Sequence, residues 1–417
     1  MTPEIPLRPQ PLGYFHFPAG FLLLPPTEDA SAPLSLLLSG RIPAALPPAW
    51  TFFGHALAGD ASAALASLAG QPEPWALYNR YVLSGEPSLL PEIESTASPA
   101  LRELAQLVAF TLGQRDQLGP WHALDGELLA VALMTEAAAH LEAEREREAL
   151  TKLDQALSPS RNLREQSPVL AAHLLLQRSQ LCRSANPTAI SIRRDLEELL
   201  LLAKDCDIPG FRSQAHLELA SHLHEISQGQ RGILELAAQH YQQALRHGFS
   251  LAENPEMYAW TQQQLALAYL AMPLRAATDQ LRMGIAIQGL REALRVYTKE
   301  RHPDLWASTT LNLANALQYL PSSHPKENLI QAVNLYEDLL AVRNRAFDPL
   351  GYARLLFNQA NALAHLGIFQ PALEKLSESH KLFHWHGEEL LARQALDQLE
   401  RINHLLAPSE EVLNASA

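Results

Sequence analysis

Apolar residues recur three and four positions apart through most of the chain, and the recurrence itself repeats. Three stretches that open on an aromatic residue, WTQQQLALAYLA (Trp260 to Ala271), WASTTLNLANAL (Trp306 to Leu317) and YARLLFNQANAL (Tyr352 to Leu363), begin 46 residues apart. Leu265, Leu311 and Phe357 share one phase within them, Ala268, Ala314 and Ala360 another, and further on Ala286 and Leu290 match Ala332 and Tyr336. Spacing of this kind places the side chains on one face of a helix. A fixed period of several dozen residues marks stacked helical units, each of which buries its apolar face only against its neighbours. The pattern predicts an all-α solenoid of antiparallel helix pairs.

Four regions follow along the chain. Residues 1–48 form a proline-rich segment, where lost backbone donors exclude a long helix. Its two apolar runs, Tyr14 to Phe17 and Phe21 to Leu24, flank Pro18-Ala19-Gly20. They fit either a small β-hairpin with Gly20 at positive φ or an extended segment lying on the first helices. Residues 49–208 read as an irregular helical-repeat region. Its helices are expected at Trp50 to Leu57, Ala61 to Leu68 with Asp60 as N-cap, Trp75 to Leu83, Ala100 to Leu112, Leu124 to Ala143, Arg145 to Leu157, Pro168 to Arg183 and Ala189 to Lys204. The regular array spans 209–406, after the break at Asp207-Ile208-Pro209-Gly210, and its first unit runs from Ser213 to His247. Asp348-Pro349 and His302-Pro303 mark unit starts 46 residues apart, with proline in the first helical turn. The last helix, Glu388 to Leu406, has Leu390, Leu391, Ala395, Leu399 and Ile402 as its expected apolar side and reads as a cap; residues 407–417 are expected to form a flexible tail.

The stretch FNQANALAHLGIFQPALEKL, Phe357 to Leu376, resembles the tetratricopeptide repeat family through Ala360, Leu363, Gly367, Phe369, Ala372 and Leu376. It departs from that family at Gln359, where leucine is usual, and in the two preceding units, where 15 positions separate Ala271 from Ala286 and Leu317 from Ala332 against nine from Leu363 to Ala372. The resemblance implies a right-handed solenoid whose first helices line a concave surface and turn their non-core positions towards a bound peptide. Asn312, Asn315, Asn358 and Asn361 hold such positions, three apart on each helix. A carboxamide can donate to a peptide carbonyl and accept from a peptide N–H. The same asparagines also fit a role in linking neighbouring helices. Family members that hold a C-terminal carboxylate add basic side chains, for which Arg354 and Arg393 are the candidates, although Leu311 stands where such members often carry lysine. Gln318 and Tyr319 are further candidates for partner contact, while Trp260, Trp306 and Tyr352 are expected to pack against the preceding unit.

Charge and composition narrow the partner. The formal charge is −13, from 32 basic and 45 acidic residues, and no dense Lys/Arg run occurs, so nucleic acid is not expected. The apolar run Leu12 to Leu24 is broken by Gly13, Pro18 and Gly20, which predicts neither a membrane span nor a signal peptide, and a cytoplasmic location follows. Two cysteines, Cys182 and Cys206, build no disulfide framework. Among 17 histidines, His380 and His384 stand one helical turn apart with His386 beyond, and Glu378 or Glu388 could complete a shell. Without an HExxH motif or a cysteine partner, no metal or other cofactor is expected there, and His216, His222 and His224 are weaker still. No GxSxG, P-loop or GxGxxG motif points to catalysis. The expected function is a non-enzymatic adaptor or scaffold that binds a segment of another protein. The alternative is a regulatory sensor responding to a ligand or metal, and self-association through the proline-rich segment is a further expectation to test.

Overall fold

The computed structural model of the 417-residue chain describes residues 21–158, 162–186, 188–208, 210–273, 278–320 and 324–406. The regular elements among them are helices: α1 (Ser31–Leu38), α2 (Thr51–Leu57), α3 (Ala61–Leu68), α4 (Pro74–Ser84), α5 (Leu89–Thr96), α6 (Pro99–Thr111), α7 (Gly126–Glu142), α8 (Glu146–Ala156), α9 (Leu163–Gln166), α10 (Pro168–Ala185), α11 (Ile190–Leu202), α12 (Phe211–Ile226), α13 (Arg231–His247), α14 (Pro255–Ala271), α15 (Thr278–Leu294), α16 (Pro303–Gln318), α17 (Pro325–Val342), α18 (Pro349–His365), α19 (Phe369–Trp385) and α20 (Glu389–Leu406). Many start where the sequence supplies the chemistry. Proline occupies the first turn of α4, α6, α10, α14, α16, α17 and α18, where its missing N–H would have had no helical partner. Asp60, Ser98 and Asp348 cap α3, α6 and α18 by accepting from the N–H of Ala63, Leu101 and Gly351.

The chain divides into two compact units, Met1–Ile226 with Arg246–Gly248, and Ser227–Leu245 with Phe249–Ala417. The division falls between α12 and α13, within the stretch read as the first regular unit. In the first unit, successive helices pack as hairpins, most extensively α2 with α3, α7 with α8 and α10 with α11. Its core includes Trp50, Phe52, Phe53, Tyr78 and Tyr81. The buried Asp195 of α11 receives both Nε and Nη2 of Arg178 from α10 at 2.8 and 2.7 Å, while Nη1 reaches Asp154 of α8 at 3.0 Å. One guanidinium thus ties three helices, its fork matching the carboxylate.

The segment before α1 is extended and clamped. Leu22, Leu23 and Leu24 are buried, and the fully buried Asn79 of α4 accepts from the Leu23 N–H and donates to the Leu23 carbonyl, both at 2.8 Å. Its side-chain amide stands in for a neighbouring strand. Trp50 Nε1 donates to the Pro25 carbonyl at 2.8 Å beside it. Phe21 to Leu24 are extended, with Leu23 a lone β-bridge residue, and Tyr14 to Gly20, the rest of the expected hairpin, lie outside the described residues.

In the second unit, α14 pairs with α15, α16 with α17 and α18 with α19, each pair packs on the next, and α20 covers the last. This is the stacking of tetratricopeptide-like helix pairs. The phased alanines Ala268, Ala314 and Ala360, and Ala286, Ala332 and Ala372 on the second helices, are all fully buried, so backbones approach closely at each crossing. Leu290, Tyr336 and Leu376 fill the space beside them, each fully buried large side chain contributing about 2–3 kcal/mol. The six-residue connections 272–277 and 319–324, against three residues at 366–368, supply part of the unequal gaps seen in the sequence, and the rest comes from α15 and α17 starting about a turn further ahead of Ala286 and Ala332 than α19 does of Ala372. Gly367 and Gly387, both at φ 76°, make the tight turns after α18 and α19.

One expectation about the cap is corrected. Leu390 is 71% exposed, because the buried stripe of α20 runs through Ala392, Ala395 and Ile402 with Leu399 half-buried beside it, and a residue two positions before Ala392 lies about 200° away around the helix.

Candidate functional site

The first helices of the second unit, α14, α16 and α18, alternate with second helices and therefore run parallel to one another. α16 and α18 turn alanine and leucine positions such as Ala314, Leu317, Ala360 and Leu363 into the core and carry a polar row beside them, whereas α14 has Ala266 and Tyr269 at the equivalent positions. Asn312, Asn315 and Gln318 of α16 and Asn358 and Asn361 of α18 are all half-buried on that row.

The carboxamides are not equivalent. Asn315 Oδ1 accepts from the Tyr336 hydroxyl at 2.6 Å and from Asn358 Nδ2 at 3.2 Å, joining α16, α17 and α18. Gln318 Oε1 lies 3.2 Å from the same hydroxyl, while its Nε2 is buried without a partner. Burial, with a smaller contribution from Tyr319, pushes the Tyr336 phenol well above its ordinary range, so it stays a neutral donor. Asn315, Asn358 and Tyr336 form a locked frame. Asn312 and Asn361 make no hydrogen bond among the described residues.

The free pair is placed symmetrically about the frame. Asn312 lies one turn before Asn315 on α16, and Asn361 one turn after Asn358 on the parallel α18. Their offset along the helix axes is about 9 Å at 1.5 Å per residue, close to the ~10 Å span of three extended residues. Tyr319, 64% exposed, flanks the row at the end of α16. Arg354 is 58% exposed and stands 4.0 Å from Glu388, an ion pair worth little in solvent. Arg393 on α20 is exposed and makes no ion pair among the described residues. Trp306 and Tyr352 pack half-buried on neighbouring core residues, Trp306 under Lys299 Nζ at 4.5 Å from its ring centroid, and Trp260 is half-buried.

The departure at Gln359 has a structural use. Its fully buried side chain donates through Nε2 to Glu337 Oε2 at 2.7 Å and the Val333 carbonyl at 3.2 Å, tying α18 to α17. Sequence reasoning registered the anomaly and missed the tie, since Glu337 lies 22 positions away on another helix.

The histidines near the end of α19 are engaged with protein groups. His380 Nδ1 donates to the Ala392 carbonyl at 2.9 Å, its ring stacks on His384 with centroids 6.2 Å apart, and His384 Nδ1 lies 3.3 Å from Glu389; His386 is exposed. Among the described residues no group of three or more His, Cys, Asp and Glu side chains is placed to hold a metal ion. No described helix is long and apolar enough to cross a membrane.

No protein-family model and no curated protein matches the sequence. Among solved structures the chain is similar to the apo form of RapI (12% identity, 85% of this chain and 96% of that one, TM-score 0.45). It is similar also to a Rap protein complexed with competence and sporulation factor (13%, 85% and 96%, TM-score 0.37) and to the TPR2AB-domain:pHSP90 complex of yeast Sti1 (14%, 66% and 98%, TM-score 0.24). The tetratricopeptide-like character of the array rests on its own helix pairing and small-residue crossings.

Proposed function

We propose that this tetratricopeptide-like array is a protein-interaction module whose α16–α18 face binds an extended segment of another protein. The carrying observation is the division of labour among four asparagines: Asn315 and Asn358 are fixed by each other and by Tyr336, and Asn312 and Asn361 keep donors and acceptors unspent on either side. A half-buried amide is already partly desolvated and held by its helix, so pairing with a peptide backbone costs little further ordering. Tyr319 supplies apolar contact area, and Arg354 and Arg393 supply positive charge for an acidic group or terminal carboxylate on the segment. The array works here as an adaptor or scaffold rather than through chemistry of its own.

The test is affinity capture by the tagged full chain from its native lysate, quantified beside the Asn312→Ala/Asn361→Ala double variant. A protein retained by the wild type and reduced roughly tenfold or more in the variant, about 1.4 kcal/mol, supports the face. Helicity and unfolding midpoint should not change, because neither side chain has a hydrogen bond to lose. Equal capture by both proteins removes this face as the binding site.

A further inference from the structure

We propose that a groove in the array, between the α17–α18 connection and the end of α19, is a second docking site that takes an acidic peptide segment carrying a bulky apolar side chain. The groove has a volume of about 600 Å³ and is lined by Asn344, Arg345, Pro349, Lys381, Trp385 and His386, among others. It is built from the connection, the first residue of α18 and the end of α19, and it shares no residue with the asparagine row.

Two large aromatics lie at this place with almost no cover. Trp385 in the lining is 86% exposed, and Phe347 in the same connection is 89% exposed. Exposed aromatics of this size on an ordered scaffold are uncommon on a surface with no partner. The connection that carries Phe347 is well tied. Asn344 Oδ1 accepts from the Ala346 N–H at 2.8 Å, its carbonyl accepts from the Phe347 and Asp348 N–H groups at 3.2 and 3.0 Å, and Arg343 pairs with Asp348 at 3.2 Å. Arg345 is anchored from outside the groove by Glu378 at 2.8 Å. The exposure is therefore a property of a fixed loop.

Charge selects the occupant. The lining contains Arg345, Lys381 and His386 and no carboxylate, on a chain whose formal charge is −13. Lys381 stands one turn before Trp385 on α19 and makes no ion pair among the described residues. Arg345 spends one nitrogen on Glu378 and keeps others of its five donors. Indole, guanidinium and ammonium groups side by side fit a segment in which an apolar residue covers Trp385 and adjacent Asp or Glu side chains meet Arg345 and Lys381. A basic segment would be repelled by Arg345 and Lys381 in the lining, and nucleic acid by the acidic remainder of the protein; a second copy is tested by the oligomeric state below.

The experiment is selection of a displayed random dodecamer peptide library on the full chain, with counter-selection on the Trp385→Ala/Lys381→Glu double variant. Both replaced side chains are exposed, and an unchanged circular dichroism spectrum and unfolding midpoint verify the variant's fold. The expected result is enrichment of peptides that combine a bulky apolar residue with two or more Asp or Glu. A synthetic copy should bind the wild type roughly tenfold more tightly than the variant, and should weaken between about 0.05 and about 0.3 M salt as charge is screened. Absence of peptides that prefer the wild type, or enrichment of neutral or basic ones, overturns the assignment. So does a wild-type dimer that the double variant dissociates, which would give the groove to a second copy. Loss of binding at the asparagine row leaves this selection unaffected, so the two sites fail separately.

Discussion

Gly351→Ala should destabilise the array, although glycine to alanine within a helix normally stabilises it by about 1 kcal/mol. Gly351 is the third residue of α18, and its N–H donates to Asp348 Oδ1 at 2.9 Å in the N-cap. The other carboxylate oxygen of Asp348 pairs with Arg343 Nε at 3.2 Å. A Cβ at position 351 would overlap Asp348 Oδ2 and stand 2.7 Å from Arg343 Nη1, so the aspartate must turn out of the cap. The cap is worth about 1 kcal/mol, with a range of about 0.5–2, and the half-exposed ion pair up to about 1 more. Against these, the gain from alanine is at most about 1 kcal/mol, leaving a net loss of about 1. The signature is in the combination. In an Asp348→Ala background the carboxylate is gone and the flexible Arg343, released from its ion pair, can swing aside, so Gly351→Ala should then raise stability by about 0.5–1 kcal/mol, a coupling of about 1.5–2 between neighbours. Urea unfolding followed by circular dichroism on the four proteins measures it. A rise in stability for Gly351→Ala alone, equal to that in the Asp348→Ala background, would refute the reasoning.

Two further perturbations probe other links. Tyr336→Phe deletes only the hydroxyl that Asn315 accepts and should cost about 1 kcal/mol, whereas Tyr336→Ala empties a fully buried site and should cost about 3–5; similar costs in urea unfolding would show that the frame, not the ring, holds this crossing. At His173 of α10, desolvation pushes the imidazole down from its ordinary 6.5 to about 4. The unfolded chain then takes up the proton first as the pH falls, so this stability is complete above about pH 6.5 and is lost progressively towards pH 4, by at most about 3 kcal/mol. His173→Gln should flatten the pH dependence of the unfolding midpoint between about pH 7 and about pH 5, and an unaltered slope would discard the assignment.

What could be read from the sequence was what repeats. Ala268, Ala314 and Ala360 declare themselves by phase because every unit needs a small residue at the same crossing, and Asp60 and Asp348 declare caps because the chemistry of a helix start is local. The short helices α1, α5 and α9 did not. α1 and α5 carry Pro33 and Pro91 in their opening turns, and a proline there marks a helix start as readily as a break. The exposure of Phe347 and Trp385 and the partners of Gln359 are tertiary facts with no sequence periodicity.

The asparagines show why the repeat register and the contact register differ. Asn312 and Asn358 are equivalent by the 46-residue period, as are Asn315 and Asn361, yet the hydrogen bond joins Asn315 to Asn358, 43 positions apart. Neighbouring first helices therefore meet with a slip of three residues, about one turn, relative to their sequence phase. With that slip the partner position of Asn312 in the preceding helix is Tyr269, whose hydroxyl already accepts from Gln242 of α13 at 2.7 Å. Asn361 is followed by the capping helix α20 rather than by another helix pair of this pattern. An asparagine written twice in each of two units thus yields one internal bond, between Asn315 and Asn358, and one unspent amide on either side of it, which is the arrangement the proposed binding face would use.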